Sequence, residues 1–121
     1  MKYIDLIRTI KASAGAEEDE SEDALEIVVE NVASHLTERT RQDFAAQLPA
    51  ELQEAAYPLP AIAHLDEDII DQLMDLNDVD EHRARRYVQA AWQALLELFD
   101  RQEADDIKAE LPPHMKLVLG Q

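Results

Sequence analysis

Three features of the sequence predict an all-α protein. Helix formers dominate, with Ala, Leu and Glu the common residues, while 121 residues hold only 2 glycines and 5 prolines, too few for turn-rich β structure. Apolar residues recur at helical spacing behind residues suited to cap a helix. The order of helices and stops in residues 3–57 is then given again by residues 66–120, in a register of 63. The expected architecture is eight helices, two tandem pseudo-symmetric four-helix repeats packed into one compact domain over 1–121 and joined by a linker at 57–66. A chain of this size buries roughly two-thirds of its unfolded surface.

Each element has its own signal. Ile4, Leu6, Ile7 and Ile10 mark a first amphipathic helix, and Gly15 is suited to a left-handed stop. The run EEDESED (Glu17 to Asp23) leads into ALEIVVENVASHL, its acids opposing the positive end of the helix dipole, with Ser21 or Asp19 as the expected cap. Thr37 is placed to cap ERTRQDFAAQ. Leu48, preceding a proline, is pushed out of helical geometry, and Pro49 fits the first position of a fourth helix.

YPLPAIAHLD (Tyr57 to Asp66) has a linker's prolines, with Leu59, Ile62 and Leu65 as packing residues. Ile69, Ile70 and Leu73 then form a short helix. Asp78 or Asp80 caps a long one reaching Phe99, Asp100 and Glu103 form a capping box, and LPP at Leu111 opens the last helix.

The register aligns more than the stops. Leu6, Ile7 and Ile10 fall on Ile69, Ile70 and Leu73, and Leu48 and Pro49 on Leu111 and Pro112. In the long helices Glu26, Glu30 and Ser34 fall on Gln89, Gln93 and Glu97, one narrow polar stripe on helices otherwise largely apolar. So little polar face predicts burial on several sides, which puts the two long helices at the centre. The expected core is Leu25, Ile27, Val28, Val32, Leu36, Phe44 and Leu48 in one half, and Val88, Trp92, Leu95, Phe99, Ile107 and Leu111 in the other.

The sequences QLPAEL and ELPPHM, each following a helix with a capped start, resemble the bacterial family catalogued as domain of unknown function 2267. The resemblance covers nearly the whole chain. It implies a small helical fold with a helix–LP–helix signature and carries no catalytic residues or cofactor with it. In the second copy Pro113 and His114 stand where the first has Ala50 and Glu51.

Composition narrows the function classes. With 27 Asp+Glu against 11 Lys+Arg the formal charge is −16, a field that repels nucleic acid and anionic lipid. No cysteine is present, so disulfide and thiolate chemistry are excluded. The start, MKYIDLIRTI, has charges inside its apolar pattern and is no signal peptide. No uncharged run approaches the roughly 18 residues of a membrane span. A cytoplasmic location is expected.

No catalytic motif emerges. The serines lack the context of a strained elbow, and two glycines cannot build a phosphate loop. HLDED (His64 to Asp68) is better read as helix caps than as a metal site, and DLNDVDEH lacks the glycine and closing glutamate of a calcium loop. No metal, cofactor or enzymatic activity is expected.

Two departures from the register are the candidate sites. Asn31 and His35 share a helix face where the second copy has Ala94 and Leu98. They make a polar pair on a face expected to point inward, the basis of a small-molecule or metal-binding alternative. Glu20, Glu22 and Asp23 fall on Arg83, Arg85 and Arg86, so equivalent places are acidic in one copy and basic in the other. Local pairing with Asp78, Asp80 and Glu81 is the simpler account of the arginines. Mating between molecules is the sharper one. The expected function is a non-enzymatic protein-interaction or self-associating module, a homo-oligomer or docking on a protein partner, without nucleic acid or membrane.

Overall fold

A computed structural model describes residues 2–57 and 68–120. Among these residues the chain is all helical, with eight α-helices, one 3-10 turn and no strand. The helices are α1 (Tyr3–Ala14), α2 (Glu18–Ser34), α3 (Glu38–Gln47), α4 (Ala50–Gln53), α5 (Ile69–Asn77), α6 (Glu81–Leu96), α7 (Arg101–Glu110) and α8 (Pro113–Val118), with the 3-10 turn Glu54–Ala56 after α4. Most of the expected linker, and HLDED up to Glu67, lie outside the described residues. The starts of α2, α3 and α4, at 18, 38 and 50, are matched 63 positions on by α6, α7 and α8, at 81, 101 and 113.

The stops match as well. Gly15 ends α1 at φ 69°, and Asp78 ends α5 at φ 51°, the same left-handed turn at the same place in the register. Asp is among the few non-glycine residues that enter this region at modest strain. Leu48 and Leu111 close α3 and α7 in extended geometry before their prolines, as pre-proline sterics require.

Thr37 caps α3 through Thr40 N–H, and Asp100 and Glu103 form the expected capping box on α7. Of the two aspartates proposed for α6, Asp80 caps it. Three boundaries differ from expectation. α2 begins a turn earlier, because the Glu20 carboxylate folds back to accept the Glu17 N–H at 2.8 Å. Neither proposed cap serves there: Asp19 lies in the first turn, and the buried Ser21 hydroxyl donates to Glu17 O. Pro49 is the N-cap of α4 and not its first residue, since its ψ of 155° is extended. α6 stops at Leu96, its end tightened by Leu98 N–H to Leu95 O and Phe99 N–H to Leu96 O, the i→i+3 bonding common at helix ends.

The long helices α2 and α6 pack on each other, and each also carries the first helix of the other half: α1 lies against α6, and α5 against α2. Every residue of the expected core is buried, and Trp92, Tyr87, Phe44, Leu25, Val28 and Leu95 are among the largest fully buried side chains. Burying a side chain of this class contributes about 1.5–3 kcal/mol.

The third helices pair antiparallel. At one end Glu110 accepts from the Thr37 N–H at 2.6 Å and from the Thr40 hydroxyl; at the other the Gln47 amide donates to Glu103 at 3.2 Å. Between them Phe44 and Phe99 stack with ring centroids 5.5 Å apart. Arg41 of α3 closes the end of α2, its guanidinium donating to Ala33 O and Leu36 O at 3.0 Å each.

Candidate interaction surface

The start of α6 is fixed by Asp80, whose carboxylate accepts the Arg83 N–H at 2.8 Å. One turn on, Arg85 pairs with Glu81 at 3.2 Å, the sole ion pair among the described residues. Arg83 and Arg86 are exposed and form none. Behind them the buried Tyr87 hydroxyl donates to Glu20 at 3.3 Å. Burial raises the Tyr87 phenol above its usual range and the Glu20 charge adds to this, while Arg83 and Arg86 pull the other way. The structure therefore brings Glu20 and two of the predicted arginines around one tyrosine within a single chain.

Glu22 and Asp23 face elsewhere. With Glu26 and Glu51 they surround Tyr3, whose phenol burial and then these four charges push up to about 12. Asp23 is raised from its ordinary value by partial burial, then by Glu26 and Asp19; Glu30 is raised by partial burial, then by Glu26. These carboxylates along α2 have no basic partner among the described residues.

Beside Arg86 an open groove of about 320 Å³ runs between the end of α1, the outer face of α6 and the end of α8. Ser13, Arg86, Gln89, Ala90, Gln93, Leu119 and Gly120 line it. Gln89 donates to Val118 O at 3.4 Å. Gly120 closes the groove at φ 84°, and a Cβ there would stand 3.4 Å from Gln89 Cδ. That is ordinary contact, so it is the left-handed backbone that favours glycine at this turn. Among the described residues no Asp or Glu lines the groove, although the chain carries 27 of them.

The polar pair expected on α2 is divided between two neighbours. Asn31 donates to Ile27 O at 2.8 Å and exchanges amide hydrogen bonds with Gln72 of α5 at 3.2 Å each way. His35 is exposed at the end of α2, its ring edge-on to His114 with centroids 6.2 Å apart. Partial burial and then the neighbouring His114 lower its pKa from the ordinary histidine value. A second, smaller cavity of about 40 Å³ lies under Phe44 and Phe99, between α3 and α7. Among the described residues no group of three or more histidines and carboxylates is placed to hold a metal ion, and no helix is long and apolar enough to cross a membrane.

A family model described as an uncharacterized conserved protein, DUF2267, matches residues 3–118. The chain belongs to the DUF2267 family. No curated protein and no solved structure matches it. In this DUF2267 chain Tyr87, Ser13 and Gly120, which lie beside the arginines or the groove, carry no signal in the sequence that singles them out. The Glu26/Gln89 and Glu30/Gln93 exchanges were visible as a polar stripe, and their change of charge, left unread, is the signal that could have marked the groove.

Proposed function

We propose that the protein is a non-enzymatic interaction module that docks on a protein surface through the basic face at the start of α6. A single observation carries this reading: in a chain of charge −16, Arg83 and Arg86 are exposed and have no ion pair within the described residues. Exposed arginines on such a background attract and orient an acidic protein surface, governing encounter and register more than raw affinity. We further propose that the chain arose by duplication of a four-helix unit, a reading supported by the shared register of helix starts and stops, and that it works in the cytoplasm of a bacterial cell.

The small-molecule or metal alternative at Asn31 and His35 has less support, because the Asn31 amide is committed to Gln72 and Ile27 O. Tagged wild type and the Arg83→Glu, Arg85→Glu, Arg86→Glu triple variant, purified from the native cell with their bound proteins, test the proposal. The reading predicts specific partners on the wild type that the triple variant fails to retain. Identical partner sets on both would overturn it.

A further inference from the structure

The groove beside Arg86 and the acidic face of α2 occupy corresponding places in the 63-residue register, and they differ in opposite senses. Arg86, Gln89 and Gln93 in the groove correspond to Asp23, Glu26 and Glu30. Ser13 and Gly120, small residues at its rim, correspond to Leu76 and Tyr57. Leu76 and Tyr57 are 57% and 51% exposed, two of the four large apolar residues left outside among the described residues. Their surroundings correspond too: α5 and the 3-10 turn pack on α2, as α1 and α8 pack on α6. Where one half has a groove with an arginine, the other has carboxylates and two exposed apolar side chains.

We propose that the occupant of the Arg86 groove is the Asp23–Glu26–Glu30 face of a second copy of this chain, with Leu76 and Tyr57 as its apolar contacts. This deepens the interaction reading above by naming the partner, and it rests on that reading. Charge complementarity selects the occupant. The groove carries a cation and neutral amides, while the α2 face carries carboxylates that repel one another and form no ion pair among the described residues. Partial burial and like-charge neighbours already hold Asp23 and Glu30 above their ordinary pKa, and an incoming guanidinium relieves that repulsion.

Each chain offers one groove and one acidic face: reciprocal pairing of the two closes a twofold dimer, and head-to-tail pairing grows rings or open chains. Two bodies of charge −16 also repel at long range. Salt of about 0.1 M, with a Debye length of about 10 Å, screens that repulsion before it weakens a contact pair. Association is therefore strongest at intermediate salt.

Light scattering on the full chain across concentration and salt tests the proposal. The expected result is a mass above the 13.7 kDa monomer near 0.1 M salt, returning to monomer at 1 M. Arg86→Glu alone, and Asp23→Arg with Glu26→Arg, are each expected to be monomeric with wild-type circular dichroism. Mixed one to one they should regain at least twice the monomer mass, because one supplies an intact groove and the other an intact acidic face. Gln93→Glu, at an exposed groove position, repeats the test should Arg86→Glu fail to fold. A wild type that stays monomeric at every concentration and salt overturns the second-copy proposal. The docking reading is judged separately, by the partners that the triple variant keeps or loses. Association that survives Arg86→Glu and Gln93→Glu, or a mixture that stays monomeric, overturns the second-copy proposal equally.

Discussion

Arg41→Ala removes the two hydrogen bonds that close α2. The last carbonyls of a helix have no i+4 partner inside it; here Ala33 O accepts from the Leu36 N–H at 3.1 Å and also from the guanidinium, which reaches Leu36 O just past the helix, at 3.0 Å each. A net hydrogen bond to a charged group contributes about 1.5–3 kcal/mol when well shielded. Arg41 is only half-buried, and water replaces part of what is lost, which brings the expected cost for the pair to about 1–2 kcal/mol. For a domain of this length that corresponds to a drop in Tm of roughly 3–8 °C. Urea unfolding followed by circular dichroism measures it, with an unchanged m-value showing that the fold is intact. Arg41→Lys separates charge from geometry. An ammonium keeps the favourable interaction with the dipole's negative end but lacks the planar fork that reaches two carbonyls, so it should recover about half the loss. The reasoning fails if Arg41→Ala stays within about 0.3 kcal/mol of wild type, or if Arg41→Lys equals wild type.

Asp78→Gly should stabilise by about 0.5–1 kcal/mol, since it relieves a left-handed residue at φ 51°, whereas Gly15→Ala, at φ 69° with open space around it, should cost about 1 kcal/mol from backbone strain alone; paired thermal melts check both. Glu30 binds its proton more tightly folded than unfolded, so it weakens the fold above its raised pKa and the penalty vanishes in acid. Glu30→Gln should thus raise stability at pH 7, with the gap closing as the pH approaches 4. Glu110 behaves in the opposite way. Burial alone would raise its pKa, but the Thr40 and Thr37 hydrogen bonds prevail and hold it below the usual glutamate range. Its stabilisation is therefore complete above the ordinary glutamate pKa and lost as pH falls through the lowered value, and in Glu110→Gln urea titrations should show that acid dependence flattened. Phe44→Ala should cost about 3–5 kcal/mol, because it empties a fully buried site and removes the stack on Phe99.

Features written within a few consecutive residues were legible in the sequence. Thr37, Asp100 with Glu103, Gly15 and the two pre-proline leucines each act on backbone groups no more than four positions away, so residue type and spacing suffice to find them. The start of α2 was not legible, because four acids precede Ser21 and only the fold-back of Glu20 onto Glu17 decides among them. Asp78 and Asp80 stood as alternative caps for the next helix; Asp80 is that cap and Asp78 the stop of the previous helix, since aspartate suits both tasks. At the candidate site the limit was distance along the chain. Gln72 is 41 residues from Asn31, and Glu20 is 67 from Tyr87. Nothing near either residue names its partner. The groove is equally non-local, since Leu119 and Gly120 must be brought back over α6 to form it.

Seating α1 against α6 and α5 against α2 has a consequence during biosynthesis. When the first half leaves the ribosome, Leu6, Ile7 and Ile10 can lean on α2, but their other wall has yet to be translated. At about 5–20 residues per second the matching rod follows several seconds later. Through that interval the nascent chain presents a greasy edge to its surroundings, and its excess of acids repels neighbouring nascent chains.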